Sequence, residues 1–186
     1  MKKSNTTTDE ELTYNEVGEI CLRTPNQMLG YFKDEVQTKE VIRTHSDGFT
    51  WVHTGDLGHV DEDGFIYVDG RIKEMITRHD GFKVYPSVIE KYLNEQGNVS
   101  QCKVVGVRDR KHEHGQIPTA FIVLKDGTYS NVQSALNELE HKCKQVFPEY
   151  YMESCVFRKI DALPLTSIGK VDYRLLQRIA EKNENR

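Results

Sequence analysis

Across residues 68–86 the chain changes its hydrophobic period, and that change limits the folds open to it. Upstream, apolar residues sit in short runs broken at Thr24-Pro25-Asn26, at 45–48 and at 61–64, the pattern of strands and tight turns. Downstream, strand-like runs interleave with stretches whose apolar residues recur at helical spacing. The stretch between them holds Gly70, Gly81 and Pro86 among a dense run of charge. Two pieces of different construction, joined there, are expected.

The upstream piece predicts a strand over 17–23 and a short helix from an Asp34 N-cap to Ile42, with Thr38, Val41 and Ile42 inward. A hairpin of 51–60 with 65–68 follows, turning where Gly64 supplies positive φ. Residues 1–13 are polar and are expected to be a flexible N-terminus. Hairpins and one short helix bury little area by themselves, so residues 14–69 read as the incomplete end of something larger.

Downstream, Pro86 suits a first helical position, and Val88, Ile89, Tyr92 and Leu93 form an inner stripe up to Gly97. Strands are predicted over 102–107, 118–124 and 155–160. Ser130 and Gln133 have capping-box spacing before a helix carrying Val132, Ala135, Leu136, Leu139, Cys143 and Val146, closed by Pro148. Asp172 is placed to cap a last helix with Leu175, Leu176 and Ile179 inward. Residues 75–186 therefore read as a complete small α+β domain.

With 29% charged and 37% hydrophobic residues, no membrane span is expected. A net charge of -4 gives no general pull toward nucleic acid, so any anion must be handled by a local site. Cys21, Cys102, Cys143 and Cys155 match neither a zinc spacing nor a disulfide framework and read as reduced, partly buried thiols. The polar N-terminus lacks the apolar core of a signal peptide, which points to the cytoplasm.

Three stretches could carry chemistry. In His53-Thr54-Gly55-Asp56 a carboxylate sits beside exposed backbone, suited to accepting two hydroxyl hydrogen bonds; taken alone, the motif reads first as a turn or bulge aspartate. Arg71 and Lys73 beside Gly70 can meet a ribose or phosphate edge, or be a solvated charged loop. Lys170 follows Gly169 on a loop stiffened by Pro164, where an ammonium can swing onto developing phosphoryl charge; a surface lysine flanking a helix has the same pattern. His112 and His114 lie in a charged turn with no third ligand in sight, and no metal site is expected.

Taken in order, these stretches resemble the C-terminal part of the AMP-forming adenylating enzymes, the superfamily of acyl-CoA synthetases, non-ribosomal peptide synthetase adenylation domains and firefly luciferase. The resemblance rests on Gly18-Glu19-Ile20, Gly30-Tyr31, Thr54-Gly55-Asp56, Asp63-Gly64, Gly70-Arg71, Gly81 with Pro86 and Ile89-Glu90, Gly106-Val107, and Pro164-Leu165-Thr166 with Gly169-Lys170. It runs from about Val17 to Leu176 and implies an α+β small domain, with a central antiparallel sheet flanked by helices, after a β-rich remnant of a large domain. A hinge over 70–74 would join them, leaving 75–186 as the mobile domain.

The resemblance also implies roles. Asp56 would bind the ribose hydroxyls of ATP and AMP, with Arg71 near the same nucleotide. Lys73 would be the hinge residue and Lys170 the catalytic lysine of the adenylation step. Gly81, Phe82 and Lys83 would form the loop facing CoA or pantetheine. The implied reaction activates a carboxylic acid as acyl-AMP with ATP and passes it to CoA. The phosphate-binding loop, the acyl pocket and the Mg2+ ligands belong to the missing N-terminal adenylation domain, so the chain alone is expected to be inactive. A non-catalytic module that docks a phosphopantetheine carrier is the other reading.

Overall fold

The structure, a computed structural model, describes residues 2–4, 10–127 and 129–183. It divides into two compact units, with the boundary between Lys73 and Glu74.

The first unit is built on one antiparallel sheet. Its strands are β1 (Lys2–Ser4), β2 (Gly18–Leu22), β3 (Ile42–Thr44), β4 (Thr50–Val60) and β5 (Ile66–Arg71). β4 is the long central strand: β2 pairs along one edge, while β3 and β5 pair with its beginning and its end on the other. The helix α1 (Glu35–Val41) starts where Asp34 accepts from the Gln37 N–H at 3.0 Å, so that cap lies where the sequence predicts it. Thr38 and Val41 are only half-buried. Ile42 leaves the helix with extended backbone and opens β3, because a β-branched residue fits the pleated edge of β4 as well as a last helical turn.

The 61–64 turn closes as expected, with Gly64 at φ +87° and its N–H donating to Asp61. Lys2–Ser4, expected in a frayed terminus, instead pairs antiparallel with Glu19–Cys21 and extends the sheet. Edge pairing satisfies backbone groups whatever the side chains, which is why composition misses it. Of the rest of that expected tail, residues 5–9 lie outside the described residues. The core of this unit is small, with Ile20, Cys21, Trp51 and Leu57 as its buried apolar members.

The second unit has a sheet with helices on both faces. Its strands are the short hairpin β6 (Ile76–Thr77) and β7 (Lys83–Val84), then β8 (Val99–Arg108), β9 (Gln116–Leu124) and β10 (Val156–Lys159). The helices are α2 (Pro86–Asn94), α3 (Val132–Val146), α4 (Glu149–Met152) and α5 (Tyr173–Asn183). β8 and β9 are antiparallel, but β10 runs parallel to β9. The expectation of an antiparallel sheet is therefore corrected at one edge. The crossover through α3 and α4 returns the chain to the end it left from, and that geometry demands a parallel neighbour.

Alternation along β8 and β9 sends side chains to two cores. Cys102, Val104, Ala120 and Ile122 face Ile89 and Leu93 of α2 and Leu136, Leu139 and Cys143 of α3. Val105, Val107 and Phe121 face Leu176 and Ala180 of α5. A sheet covered on both faces explains why 120–124 reads as an unbroken apolar run. Two helix details differ from expectation. α3 is capped by Asn131, which accepts from Ser134, one residue after Ser130. Val146 is 55% exposed, outside the inner stripe. α4 has no sequence signature beyond Pro148, being a single turn that buries Tyr151 and Met152.

Glu90 joins α2 to β8. It is buried, accepting from the Val104 N–H at 2.9 Å and from Lys103 Nζ at 2.5 Å. Burial works to lower the Lys103 pKa, but the Glu90 hydrogen bond and charge outweigh it and raise the pKa above its ordinary value. The four cysteines are all thiols, and burial pushes Cys143 up to about 12 and Cys102 and Cys155 up as well. Among the described residues no helix is long and apolar enough to cross a membrane.

Candidate functional site

The first predicted stretch is a kink in β4. Gly55 takes φ +72°, a conformation that only glycine adopts without strain. The kink is held from beneath by a buried polar chain that begins on β2. Glu19 accepts from the Gly55 N–H through Oε1 at 2.9 Å and pairs with His53 Nδ1 through Oε2 at 2.8 Å. His53 Nε2 lies 2.8 Å from His45 Nε2, so one ring donates to the other. Thr54 Oγ1 donates to the Ile20 carbonyl at 2.8 Å and accepts from the Asp56 N–H at 3.0 Å. All of Glu19, His45 and His53 are buried.

This support fixes where Asp56 stands. Asp56 and Arg71 are cross-strand partners on β4 and β5, and Arg71 Nε meets Asp56 Oδ1 at 3.0 Å. The two side chains keep 31% and 62% of their exposure, so the pair is open to a polar ligand. A cleft of about 550 Å³ lies beside it, lined by Tyr31, Gln37, Glu40, Arg43, Thr54 and Arg71 among others. Asp56 and Arg71 stand out in the sequence as site residues, whereas the supporting roles of Glu19, His45 and His53 do not. A charged residue inside the apolar run at 17–23 was the available signal.

Lys73 is exposed, in the 3-10 turn Ile72–Glu74 at the boundary of the units. Lys170 is exposed on a closed turn of the second unit. Thr166 donates its N–H to the Lys170 carbonyl at 2.7 Å, and the Lys170 N–H returns to Thr166 Oγ1 at 3.2 Å. Gly169 at φ +77° makes the reversal, and the Asp172 N–H donates to the Pro164 carbonyl at 2.8 Å. The Leu165–Val171 bridge seals the base of this turn.

Gly81 is at φ +84° in the turn between β6 and β7, with Phe82 and Lys83 exposed after it. That turn is pinned by Arg78, in sequence one more charge of the 68–86 stretch. Arg78 is buried and donates to both oxygens of Asp80, to the Tyr150 carbonyl at 2.8 Å and to Glu153 at 2.5 Å. Phe82 stacks on Tyr150 with centroids 4.7 Å apart, so α4 supports the turn twice.

The hydrogen bonds from Arg78 hold the Asp80 carboxyl at about 2, below its ordinary 3.8. A depressed carboxylate contributes its full stability above the unfolded-state value and loses it as the pH falls through the folded one. In acid denaturation, the stability gap between the native chain and Asp80→Asn is therefore expected to close between pH 3.8 and about 2. A gap independent of pH over that window would remove the Arg78–Asp80 pair as its source.

His112, expected to be solvated, is not alone. Asp109 and His79 meet it, and His79 comes from the 68–86 stretch.

Comparison with known proteins gives the class first. Residues 88–170 match the family described as AMP-binding enzyme C-terminal domain. The chain is 34% identical over 171 residues to 4-coumarate–CoA ligase 1 of Glycine max, covering 92% of this chain and 55% of that one. It is 36% identical over 164 residues to probable 4-coumarate–CoA ligase 3 of Dictyostelium discoideum, covering 88% of this chain and 28% of that one. ATP-bound MatB from Rhodopseudomonas palustris superposes with a TM-score of 0.80 at 28% identity, over 97% of this chain and 33% of that one. Over nearly its whole length the chain is thus similar to the C-terminal part of AMP-forming adenylating enzymes. It spans from under a third to about half of the length of these relatives.

Proposed function

We propose that this chain is the C-terminal part of an AMP-forming acid–thiol ligase, which activates a carboxylate as acyl-AMP with ATP and transfers it to CoA. The observation that carries the reading is coverage: nearly all of this chain superposes on ATP-bound MatB, of which it accounts for 33%. In this reading Asp56 accepts from the two hydroxyls of a ribose, while Arg71 faces the same nucleotide. Lys170 brings an ammonium to the charge that develops between carboxylate and phosphate. Lys73 is the pivot, and Gly81, Phe82 and Lys83 line the path of the thiol. Exchange of the Lys170 loop for the Gly81 loop would let one small domain serve both half-reactions.

Mg2+, which accompanies ATP, does not fit the Asp56–Arg71 pair. The carboxylate there already faces a guanidinium, and a hard dication wants several oxygens. Its ligands are assigned to the N-terminal adenylation domain, together with the acyl pocket. Four thiols held by burial rather than by disulfides support a cytoplasmic setting.

The test is ATP–pyrophosphate exchange, measured on the chain alone and on a chimera carrying the upstream region of a CoA ligase relative. No exchange is expected from the chain alone, and exchange with a carboxylate from the chimera. Exchange by the isolated chain would sink the fragment reading. A folded chimera that ignores nucleotide yet binds a phosphopantetheine carrier tightly would favour a docking module.

A further inference from the structure

We propose that His79, Asp109 and His112 form a binding site for a divalent transition-metal ion such as Zn2+, Co2+ or Ni2+, clamping the β6–β7 turn to the β8–β9 loop. The site is independent of the adenylation reading. Three donor atoms from two loops converge on one point. Asp109 Oδ2 lies 2.7 Å from His112 Nδ1 and 3.5 Å from His79 Nδ1. The two imidazoles stack with centroids 3.5 Å apart and planes 2° from parallel, and both Nδ1 atoms lie against the same carboxylate oxygen. A tetrahedral ion with bonds of about 2.0–2.2 Å separates its ligand atoms by about 3.3 Å, within the span already present.

The carboxylate is preset. Asp109 is buried, its Oδ1 accepts from the Lys111 N–H at 2.9 Å, and its own N–H donates to the Gly115 carbonyl at 3.0 Å. Gly115 keeps the two loops together: a Cβ there would stand 2.3 Å from the His79 nitrogen, so the backbones touch. Arg78, the nearest cation in sequence to His79, is committed to Asp80, Glu153 and the Tyr150 carbonyl and does not compete for Asp109. The histidine side chains keep 29% and 44% of their exposure, which leaves room for the rings to fan apart and for an ion to enter.

The site offers two borderline imidazole nitrogens and one hard carboxylate oxygen, a set in which nitrogen predominates. It suits Zn2+, Co2+ and Ni2+ and suits Mg2+ or Ca2+ poorly, since those demand oxygen. Three protein ligands leave a position open to water or to a further ligand. Bound there, the ion ties the turn that presents Gly81 to the central hairpin of the second unit.

Calorimetric titration of the full chain with Ni2+ and with Zn2+ tests this. One ion per chain is expected, and Co2+ should give a visible spectrum without a thiolate charge-transfer band. His79→Ala and His112→Ala should each weaken binding by about ten-fold or more. His114→Ala and His141→Ala should leave it unchanged. Hydrogen exchange at amides 78–82 should slow when the ion is bound. Because both histidines are partly exposed, their variants keep the fold even where Asp109→Asn does not. Native affinity in both His79→Ala and His112→Ala would overturn the site, as would a loss that follows His114.

Discussion

In a chimera carrying the upstream region of a CoA ligase relative, Lys170→Ala is expected to slow acyl-adenylate formation by about 10²–10³-fold. Thioester formation from preformed acyl-adenylate should stay near the native rate. The physical reason is that a fixed positive donor helps only where negative charge grows. In the first half-reaction that charge appears on the oxygens between carboxylate and phosphate; in the second it appears elsewhere. Lys170→Arg should not restore the rate, because a planar fork does not replace a compact ammonium on a flexible stem. The substitution should leave stability alone, since the side chain is exposed and the turn is closed by backbone atoms and Thr166. Pyrophosphate exchange and single-turnover thioester formation separate the two steps. Equal loss in both would take the role away from Lys170.

The second large effect is on stability. Glu19→Ala is expected to destabilise the first unit by about 3 kcal/mol, the cost of depriving two buried or half-buried groups of their acceptor. Both carboxylate oxygens are in use, one on the Gly55 N–H and one on His53 Nδ1. Glu19→Gln should cost less, because the amide oxygen can still serve one of them. Trp51 is the only tryptophan in the sequence and is buried in this unit, so its fluorescence during urea unfolding reads the unit directly. In the chimera the same variant should raise KM for ATP, because a relaxed kink at Gly55 no longer fixes Asp56. Native stability in Glu19→Ala would mean that water replaces the carboxylate freely.

Elements governed by local chemistry were legible in the sequence. The Asp34 cap, Pro86 at the start of α2 and the Gly64 turn depend on one or two residues and on nothing distant. The alternation that sends Val104 and Val105 to opposite cores was legible as an apolar run, though not which helix covers which face. What escaped was set by long-range partners. Arg78 looked like one more charge on a loop until α4, some seventy residues on, brought it the Tyr150 carbonyl and Glu153. β10 looked like any short strand, and its direction depends on the crossover before it. At the candidate site the motif residues Asp56, Arg71 and Lys170 stood out. The Glu19–His53–His45 chain did not, because buried polar residues declare themselves only through their partners.

The turn that carries Lys170 has a kinetic meaning. Its backbone is closed by the turn's own atoms, through the Thr166–Lys170 hydrogen bonds and the Leu165–Val171 bridge. A lysine on a slack loop must order several residues each time it engages, at roughly 1–2 kcal/mol of backbone entropy apiece. Here only the rotamers of one side chain remain to be lost, about 2 kcal/mol. On the proposed reading, in which Lys170 withdraws in every cycle, engagement and release can then be frequent and shallow.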